Sequence, residues 1–129
     1  MTGKNGRKKR VLVVEDESLI AFEIEHALET LGCEVVGPVG SVQGALEIMS
    51  RNGVDGAVLD VTVRDGKIFP VAEQLQARNI PFVFASGYAD WSMPEVLRKH
   101  PRLTKPFTSK ELAEQLRLLT AQIAAHTRH

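Results

Sequence analysis

The sequence is poor in cysteine and aromatic residues and has no long apolar run. Its 129 residues include one cysteine and 5% aromatic side chains. The single Cys33 cannot form an intramolecular disulfide, and no Cys or His lies near it at the spacing of a zinc site, so we expect a small buried hydrophobe. No segment approaches the roughly twenty apolar residues of a membrane span, and the amino terminus lacks the apolar centre of a secretory signal. These absences predict a cytoplasmic protein without redox chemistry.

The net charge is zero but unevenly distributed. Of the 16 basic residues, five lie before residue 11, and all 16 acidic residues follow it. From residue 11 onward, 11 basic residues against 16 acidic ones leave a balance of −5. An acidic body argues against nucleic-acid binding. We expect residues 1–9 to form a disordered basic arm and residues 10–126 one domain, with no output domain.

Short apolar runs alternate with helical patterns along the chain, which is typical of a (βα)5 domain. The runs are too apolar for a sheet with one face in water, so the fold class is α/β, a doubly wound five-stranded parallel sheet. Right-handed crossovers place the carboxyl ends of all strands along one edge, where such sheets carry their sites. The predicted strands are Arg10–Val14, Glu34–Val39, Gly56–Asp60, Pro81–Ala85 and a weak fifth at Arg102–Leu103.

Apolar residues at helical spacing predict amphipathic helices between the strands. The last helix is the best marked, because Thr108 and Glu111 fit a capping box ahead of a leucine stripe. The fourth helix is the weakest, and Pro94 is expected near its first turn. Asp65-Gly66 is expected to turn the chain into the third helix.

Five polar side chains fall at the predicted carboxyl edge. Glu15 and Asp16 follow the first strand, Asp60 ends the third, Ser86 follows the fourth, and Lys105 follows the fifth. Carboxylates this close repel each other, by about 4 kcal/mol per pair at roughly 4 Å and an effective dielectric constant of about 20, unless a cation lies among them. Oxygen-only ligands favour Mg²⁺, with Mn²⁺ as the alternative, over zinc.

The same edge has the groups that phosphoryl transfer needs. The ammonium of Lys105 would bind one phosphoryl oxygen, and the hydroxyl of Ser86 would donate to another. Asp60 is the predicted nucleophile, because a carboxylate held between a metal and a lysine stays ionised and can form an aspartyl phosphate.

Four segments, VLVVEDE, VLDVTVRDG, FVFASGYAD and LTKPF, resemble in this order the receiver domain of two-component response regulators, from about residue 10 to the end. The resemblance implies a flavodoxin-like fold with strand order 2-1-3-4-5. It makes Asp60 the phosphoacceptor, Asp16 a direct metal ligand, Glu15 a ligand mainly through water, and the Thr62 backbone carbonyl a further ligand. Ser86 and Lys105 become the switch hydroxyl and the phosphate-binding lysine, and a cis peptide is implied between Lys105 and Pro106.

Two departures narrow the resemblance. Arg102 stands where many receivers have a switching aromatic residue, and Val63-Arg64 replaces the usual Met-Pro. The run from Phe84 to Tyr88 resembles the Phe-Ala-Thr-Gly-Tyr signature of a receiver subgroup, with Ser for Thr. We therefore expect the switch to involve the permissive backbone of Gly87 and the adjacent Tyr88. The expected switch and partner surface contains Gly87, Tyr88, Trp91, Arg102 and Pro106.

The resemblance implies a stand-alone receiver in phosphorelay signal transduction. A sensor histidine kinase would donate phosphoryl to Asp60, and the change would alter binding to an unidentified downstream protein. We expect a monomer or weak dimer, with no membrane partner. Self-phosphorylation and autodephosphorylation would be its only chemistry, so it is not a conventional enzyme.

Two alternatives stay open at this point. The first is a Mg²⁺-dependent phosphatase or phosphotransferase with an Asp nucleophile, although that class usually has a second acid where Thr62 stands. The second is a receiver that binds partners without phosphorylation, against which the intact Asp60, Asp16 and Lys105 argue.

Overall fold

Five parallel strands form one sheet in the computed structural model, which describes residues 8–87 and 92–126. The strand order in this sheet is β2-β1-β3-β6-β7, which confirms the predicted order 2-1-3-4-5 because β6 and β7 are the predicted fourth and fifth strands. The two additional strands, β4 and β5, form a separate antiparallel hairpin. The strands are β1 (Arg10–Val14), β2 (Glu34–Val39), β3 (Gly56–Asp60), β4 (Thr62–Val63), β5 (Gly66–Lys67), β6 (Phe82–Ser86) and β7 (Arg102–Thr104).

The predicted strand bounds are confirmed for β1, β2 and β3 and are off by one residue for β6 and β7. β6 starts after Pro81, which has no N–H to give to the sheet. It includes Ser86 because Ser86 pairs with Thr104 of β7. The sheet therefore holds Ser86 at the end of a fully buried strand.

Helices cover both faces of the sheet. They are α1 (Ser18–Thr30), α2 (Val42–Arg51), α3 (Phe69–Ala77) and α4 (Ser109–His126). The predicted capping box is confirmed at α4: Thr108 Oγ1 accepts from the Glu111 N–H at 3.0 Å, and Glu111 Oε1 accepts from the Thr108 N–H at 2.8 Å. No helix in the described ranges is both long and apolar enough to cross a membrane.

The fourth predicted helix is shorter than expected. Between β6 and β7, the described residues contain only a 3-10 turn at Glu95–Leu97. Pro94 precedes this turn in an extended conformation, and Pro101 stands directly before β7. The two prolines leave little length for a regular helix.

Alternate residues of the central strands feed two hydrophobic cores. In β1, Leu12 and Val14 pack in the core under α2 and α3, while Val11 and Val13 pack in the core under α1 and α4. Cys33 is buried in the second core, and burial raises the pKa of its thiol. Because both faces are dry, polar side chains of the central strands occur only at strand ends.

We predict that Gly56→Ala destabilises the protein, because a Cβ on Gly56 would lie 2.6 Å from Ile123 Cδ1 and 3.3 Å from the Pro81 carbonyl oxygen. Ile123 is fully buried, so relieving this overlap should cost about 1–3 kcal/mol in the free energy of unfolding, measured by urea denaturation. The matched control is Gly53→Ala, where a Cβ would meet open space. Equal stabilities of the two variants would contradict this packing.

Candidate functional site

Three carboxylates meet at the carboxyl edge of the sheet. Glu15 follows β1 and donates its N–H to the Val39 carbonyl at 2.9 Å. Asp60 ends β3 and pairs in register with Ala85 of β6. Glu15, Asp16 and Asp60 each offer a carboxylate oxygen within 4.8 Å of the others. Glu15 and Asp60 are 4% and 5% exposed, so little water screens their charges.

Lys105 lies against two of these carboxylates. Its Nζ is 2.9 Å from Glu15 Oε1, 3.1 Å from Asp60 Oδ2 and 3.4 Å from Glu17 Oε1. The Lys105 N–H donates to the Ser86 carbonyl at 2.8 Å, and the peptide bond to Pro106 is cis, as expected. The backbone thus directs the ammonium into the acidic cluster.

Ser86 supplies a buried hydroxyl at the same edge. The residue is 1% exposed, and its Oγ has no hydrogen-bond partner within the described ranges. Leaving a buried hydroxyl unpaired costs about 1–3 kcal/mol, so such groups are usually satisfied in native proteins. This hydroxyl is a donor available to a ligand at the carboxyl edge.

The charges at the site shift the pKa values of both ion-pair partners. Burial, with the nearby charge of Glu15, raises the pKa of Asp60 to about 7, against the opposing effect of Lys105. Burial disfavours the Lys105 ammonium, but its hydrogen bond with Glu15 and the charges of Asp60 and Glu15 outweigh it and raise the pKa of Lys105. The site therefore has more negative charge than its lysine can offset.

The donor set fits a hard divalent cation. Every candidate ligand atom in the cluster of Glu15, Asp16 and Asp60 is a carboxylate oxygen, as Mg²⁺ prefers. Thr62 is adjacent in β4: its N–H donates to Asp60 Oδ1 at 3.3 Å, and its hydroxyl accepts from Lys67 Nζ at 2.7 Å. A role for the Thr62 carbonyl as a ligand stays a prediction.

The predicted switch surface is only partly covered by the described residues. Gly87 follows β6, whereas Tyr88 and Trp91 lie outside the described residues. Arg102 is half-buried, and its Nη2 lies 3.7 Å from Met93 Sδ. The guanidinium thus packs on a buried methionine at the position where many receivers have an aromatic ring.

The β4-β5 hairpin beside Asp60 was not predicted from the sequence. Contrary to the prediction, Asp65-Gly66 does not lead directly into α3: Arg64 and Asp65 form the turn between β4 and β5, and Gly66 begins β5. The Asp65 carboxylate accepts from the N–H groups of Val42 at 2.6 Å and Gln43 at 3.1 Å, and these bonds lower its pKa. No local pattern could have revealed a cap from a residue more than twenty positions away.

The carboxyl edge of this α/β sheet thus holds two adjacent acids, a strand-end aspartate, a buried hydroxyl and a lysine, which is the arrangement of a receiver-type signalling domain. Residues 11–117 match the family model of the response regulator receiver domain, and the chain belongs to this family.

Relatives agree with this assignment. The transcriptional regulatory protein PdtaR of Mycobacterium tuberculosis is 30% identical over 119 residues, which cover 88% of this chain and 58% of PdtaR. The chain thus spans little more than half the length of that curated relative. The solution structure of SdrG from Sphingomonas melonis Fr1 has 47% identity and a TM-score of 0.75, over 88% of this chain and 97% of that one. The BeF3-activated conformation of SdrG from Pseudomonas melonis Fr1 has 48% identity and a TM-score of 0.69, over 85% and 95%.

We predict that Asp60→Asn stabilises the metal-free protein at alkaline pH. The pKa of Asp60 in the folded protein is about 7, above its ordinary value of 3.8, because the folded state favours the protonated side chain. The contribution of Asp60 to stability is therefore complete below pH 3.8 and is lost as the pH rises through about 7. With EDTA present at pH 8, the free energy of unfolding of the variant, measured by urea denaturation, should be about 1–3 kcal/mol higher than that of the wild type. Glu73→Gln, which removes an exposed carboxylate from α3, should change nothing. A wild type that gains stability from pH 5 to pH 8 relative to Asp60→Asn would contradict the shift.

We also predict that Mg²⁺ raises the melting temperature of the wild type by several degrees, because a bound cation stabilises the folded state alone. Asp16→Ala removes one of the three clustered carboxylates and should remove most of this rise, measured by differential scanning fluorimetry. An unchanged rise in the variant would count against Asp16 as a ligand.

Proposed function

We propose that the chain is a phosphorylation-dependent receiver whose phosphoacceptor is Asp60. The observation that carries the proposal is the contact between the buried Asp60 carboxylate and Lys105, at 3.1 Å, beside a buried Ser86 hydroxyl without a partner in the described part of the chain. One nucleophile, one cation and one donor converge where a phosphoryl group would bind.

The proposed reaction transfers phosphoryl from a phosphohistidine of a sensor histidine kinase. An Asp60 carboxylate oxygen attacks phosphorus, a P–O bond forms, the P–N bond breaks, and the leaving imidazole takes up a proton. The product adds about −1.5 to −2 charges to the site. Lys105 and the Ser86 hydroxyl would bind oxygens of the new group.

A divalent cation would be held by Asp16, Asp60, the Thr62 carbonyl and, through water, Glu15. When bound, Mg²⁺ supplies neutralisation of the charge that develops on the phosphoryl oxygens. Mn²⁺ has the same preference for oxygen ligands and is the alternative ion. The raised pKa of Asp60 supports this, because a cation would return Asp60 to its nucleophilic carboxylate form near neutral pH.

The phosphorylated domain would signal by altered protein binding. Ser86 ends β6, so movement of its hydroxyl towards a phosphoryl group would move Gly87 and the segment that follows it. We place the chain in the Phe-Ala-Thr-Gly-Tyr subgroup and assign the switch to Gly87 and Tyr88, since Arg102 replaces the strand aromatic. The partner surface would include Trp91 and Pro106, and the downstream partner is an unidentified protein.

Two further observations favour a receiver over a phosphatase. The second residue after Asp60 is Thr62, which cannot act as the second acid of an Asp-dependent phosphatase. SdrG, 48% identical to this chain, has a BeF3-activated conformation. That precedent supports an activated conformation here too. We propose a cytoplasmic monomer or weak dimer with no chemistry beyond self-phosphorylation and autodephosphorylation.

The test is intact mass after incubation with acetyl phosphate, with and without Mg²⁺. We expect the wild type to gain one phosphoryl group only with Mg²⁺, and Asp60→Asn to gain none, since it keeps the shape of the side chain and removes the nucleophile. Asp55→Asn is the control, because Asp55 lies at the other end of β3 and accepts a hydrogen bond from Arg10. Lys105→Ala should still take up phosphoryl but should not change partner binding on phosphorylation.

Three outcomes would overturn parts of this proposal. Phosphoryl uptake by Asp60→Asn at the wild-type level would remove Asp60 as the acceptor. Steady release of inorganic phosphate in many turnovers, with no mass gain, would favour the phosphatase. No gain from acetyl phosphate or from a panel of phosphorylated histidine kinases would favour a receiver that binds partners without phosphorylation.

A further inference from the structure

A second cationic side chain lies at the rim of the acidic site. Arg64, in the β4-β5 hairpin, lies over the loop between β2 and α2, where its Nη2 is 2.8 Å from the point that a Cβ on Gly40 would occupy. The Cβ of Asp16 is 3.3 Å from the same point. Arg64 and Asp16 also line one open groove of about 380 Å³ together with Glu15. Arg64 therefore lines the same groove as two of the candidate metal ligands.

The backbone around Arg64 is fixed on both sides. The Arg64 N–H donates to the Gly40 carbonyl at 3.3 Å. The adjacent Asp65 carboxylate accepts from the N–H groups of Val42 and Gln43, the first two residues of α2. These hydrogen bonds hold the hairpin against the loop that precedes α2. They fix the position of the Arg64 backbone, although the Arg64 side chain is exposed.

Gly40 provides the room for the guanidinium. Any side chain at position 40 would overlap Arg64 Nη2 at 2.8 Å, whereas its contacts with Asp16 are longer, at 3.3 and 3.4 Å. The φ angle of Gly40 is not in the left-handed region, so an alanine would be compatible with the backbone. With glycine at position 40, the guanidinium can lie directly over the backbone beside Asp16, and a Cβ there would displace the flexible end of Arg64.

The two cations approach the carboxylates from opposite sides. In the sheet order β2-β1-β3-β6-β7, Lys105 follows β7 and contacts Glu15 and Asp60. Arg64 lies over Gly40, which follows β2, beside Asp16. Asp16 is exposed and therefore the most accessible of the three acids to an incoming ion.

We propose that the positive charge of Arg64, whose guanidinium lies over Gly40 beside Asp16, lowers the affinity of the acidic site for a divalent cation. The inference rests on the proposed metal site. A positive charge a few ångströms from a divalent ion opposes its binding by an amount that corresponds to about fivefold in Kd for a largely solvated pair. The site would thus release its cation more readily than the carboxylates alone would allow.

The test is a Mg²⁺ titration of the full chain by isothermal titration calorimetry, with the fold of each variant verified by circular dichroism. Arg64→Gln removes the charge at similar size and should bind Mg²⁺ about fivefold more tightly than the wild type. Arg64→Lys keeps the charge and should remain near the wild type. Raising the salt concentration should reduce the difference between Arg64→Gln and the wild type, because screening weakens an exposed charge effect.

Gly40→Ala tests the contact from the other side when it is made in both the wild-type and the Arg64→Gln backgrounds, because its Cβ would also lie 3.3 Å from Asp16 Cβ. In the wild-type background its Cβ should displace the guanidinium and tighten Mg²⁺ binding in the same direction as Arg64→Gln. Combined with Arg64→Gln it should add little, since the two changes act on one contact. Arg78→Gln is the charge-matched control, because Arg78 follows α3 near the start of β6, at the opposite end of the sheet, and should leave Kd unchanged.

The outcomes separate this inference from the metal site itself. A wild type that binds no Mg²⁺, with Asp16→Ala behaving identically, would overturn both. A wild type that binds Mg²⁺ with the same Kd as Arg64→Gln would overturn the role of Arg64 alone. An equal gain in affinity for Arg78→Gln would show a general effect of net charge and would also overturn it.

Discussion

The structure depends on the concentration of negative charge at one dry edge of a parallel sheet. Because hydrophobic cores cover both faces of the sheet, the polar residues that end or follow β1 and β3 lie at its carboxyl edge. Glu15 and Asp60 are buried there with Asp16 beside them. Lys105 neutralises part of this charge, and the remaining negative charge favours a bound cation at this edge.

Hydrogen bonds connect the acidic edge to the elements on either side of it. The Lys105 N–H donates a hydrogen bond to the Ser86 carbonyl, and Ser86 is the last residue of β6, directly before Gly87. On the other side, the β4-β5 hairpin is hydrogen-bonded to the amino terminus of α2 through the Asp65 carboxylate. A group added at Asp60 would therefore act on elements on both sides of β3 through hydrogen bonds and ion pairs that already exist.

The sequence predicted the fold because each strand has a short apolar run and each helix an apolar stripe. The bounds of β1, β2 and β3 are confirmed, and so are the strand order and the capping box at Thr108. The fourth helix is shorter than predicted in the described residues, since Pro94 and Pro101 restrict the backbone on either side. The hairpin was missed because two-residue strands have too few residues to show alternation.

The sequence by itself determined the family and the set of chemical groups, because the order of acids, hydroxyl and lysine along the chain follows directly from strand ends in a parallel sheet. Tertiary structure alone decided the relations between distant residues. The contact of Lys105 with Glu15, the cap from Asp65 to α2 and the position of Arg64 over Gly40 join residues more than twenty positions apart. Such contacts leave no periodic pattern in the chain, since they depend on how loops from different strands meet at one edge.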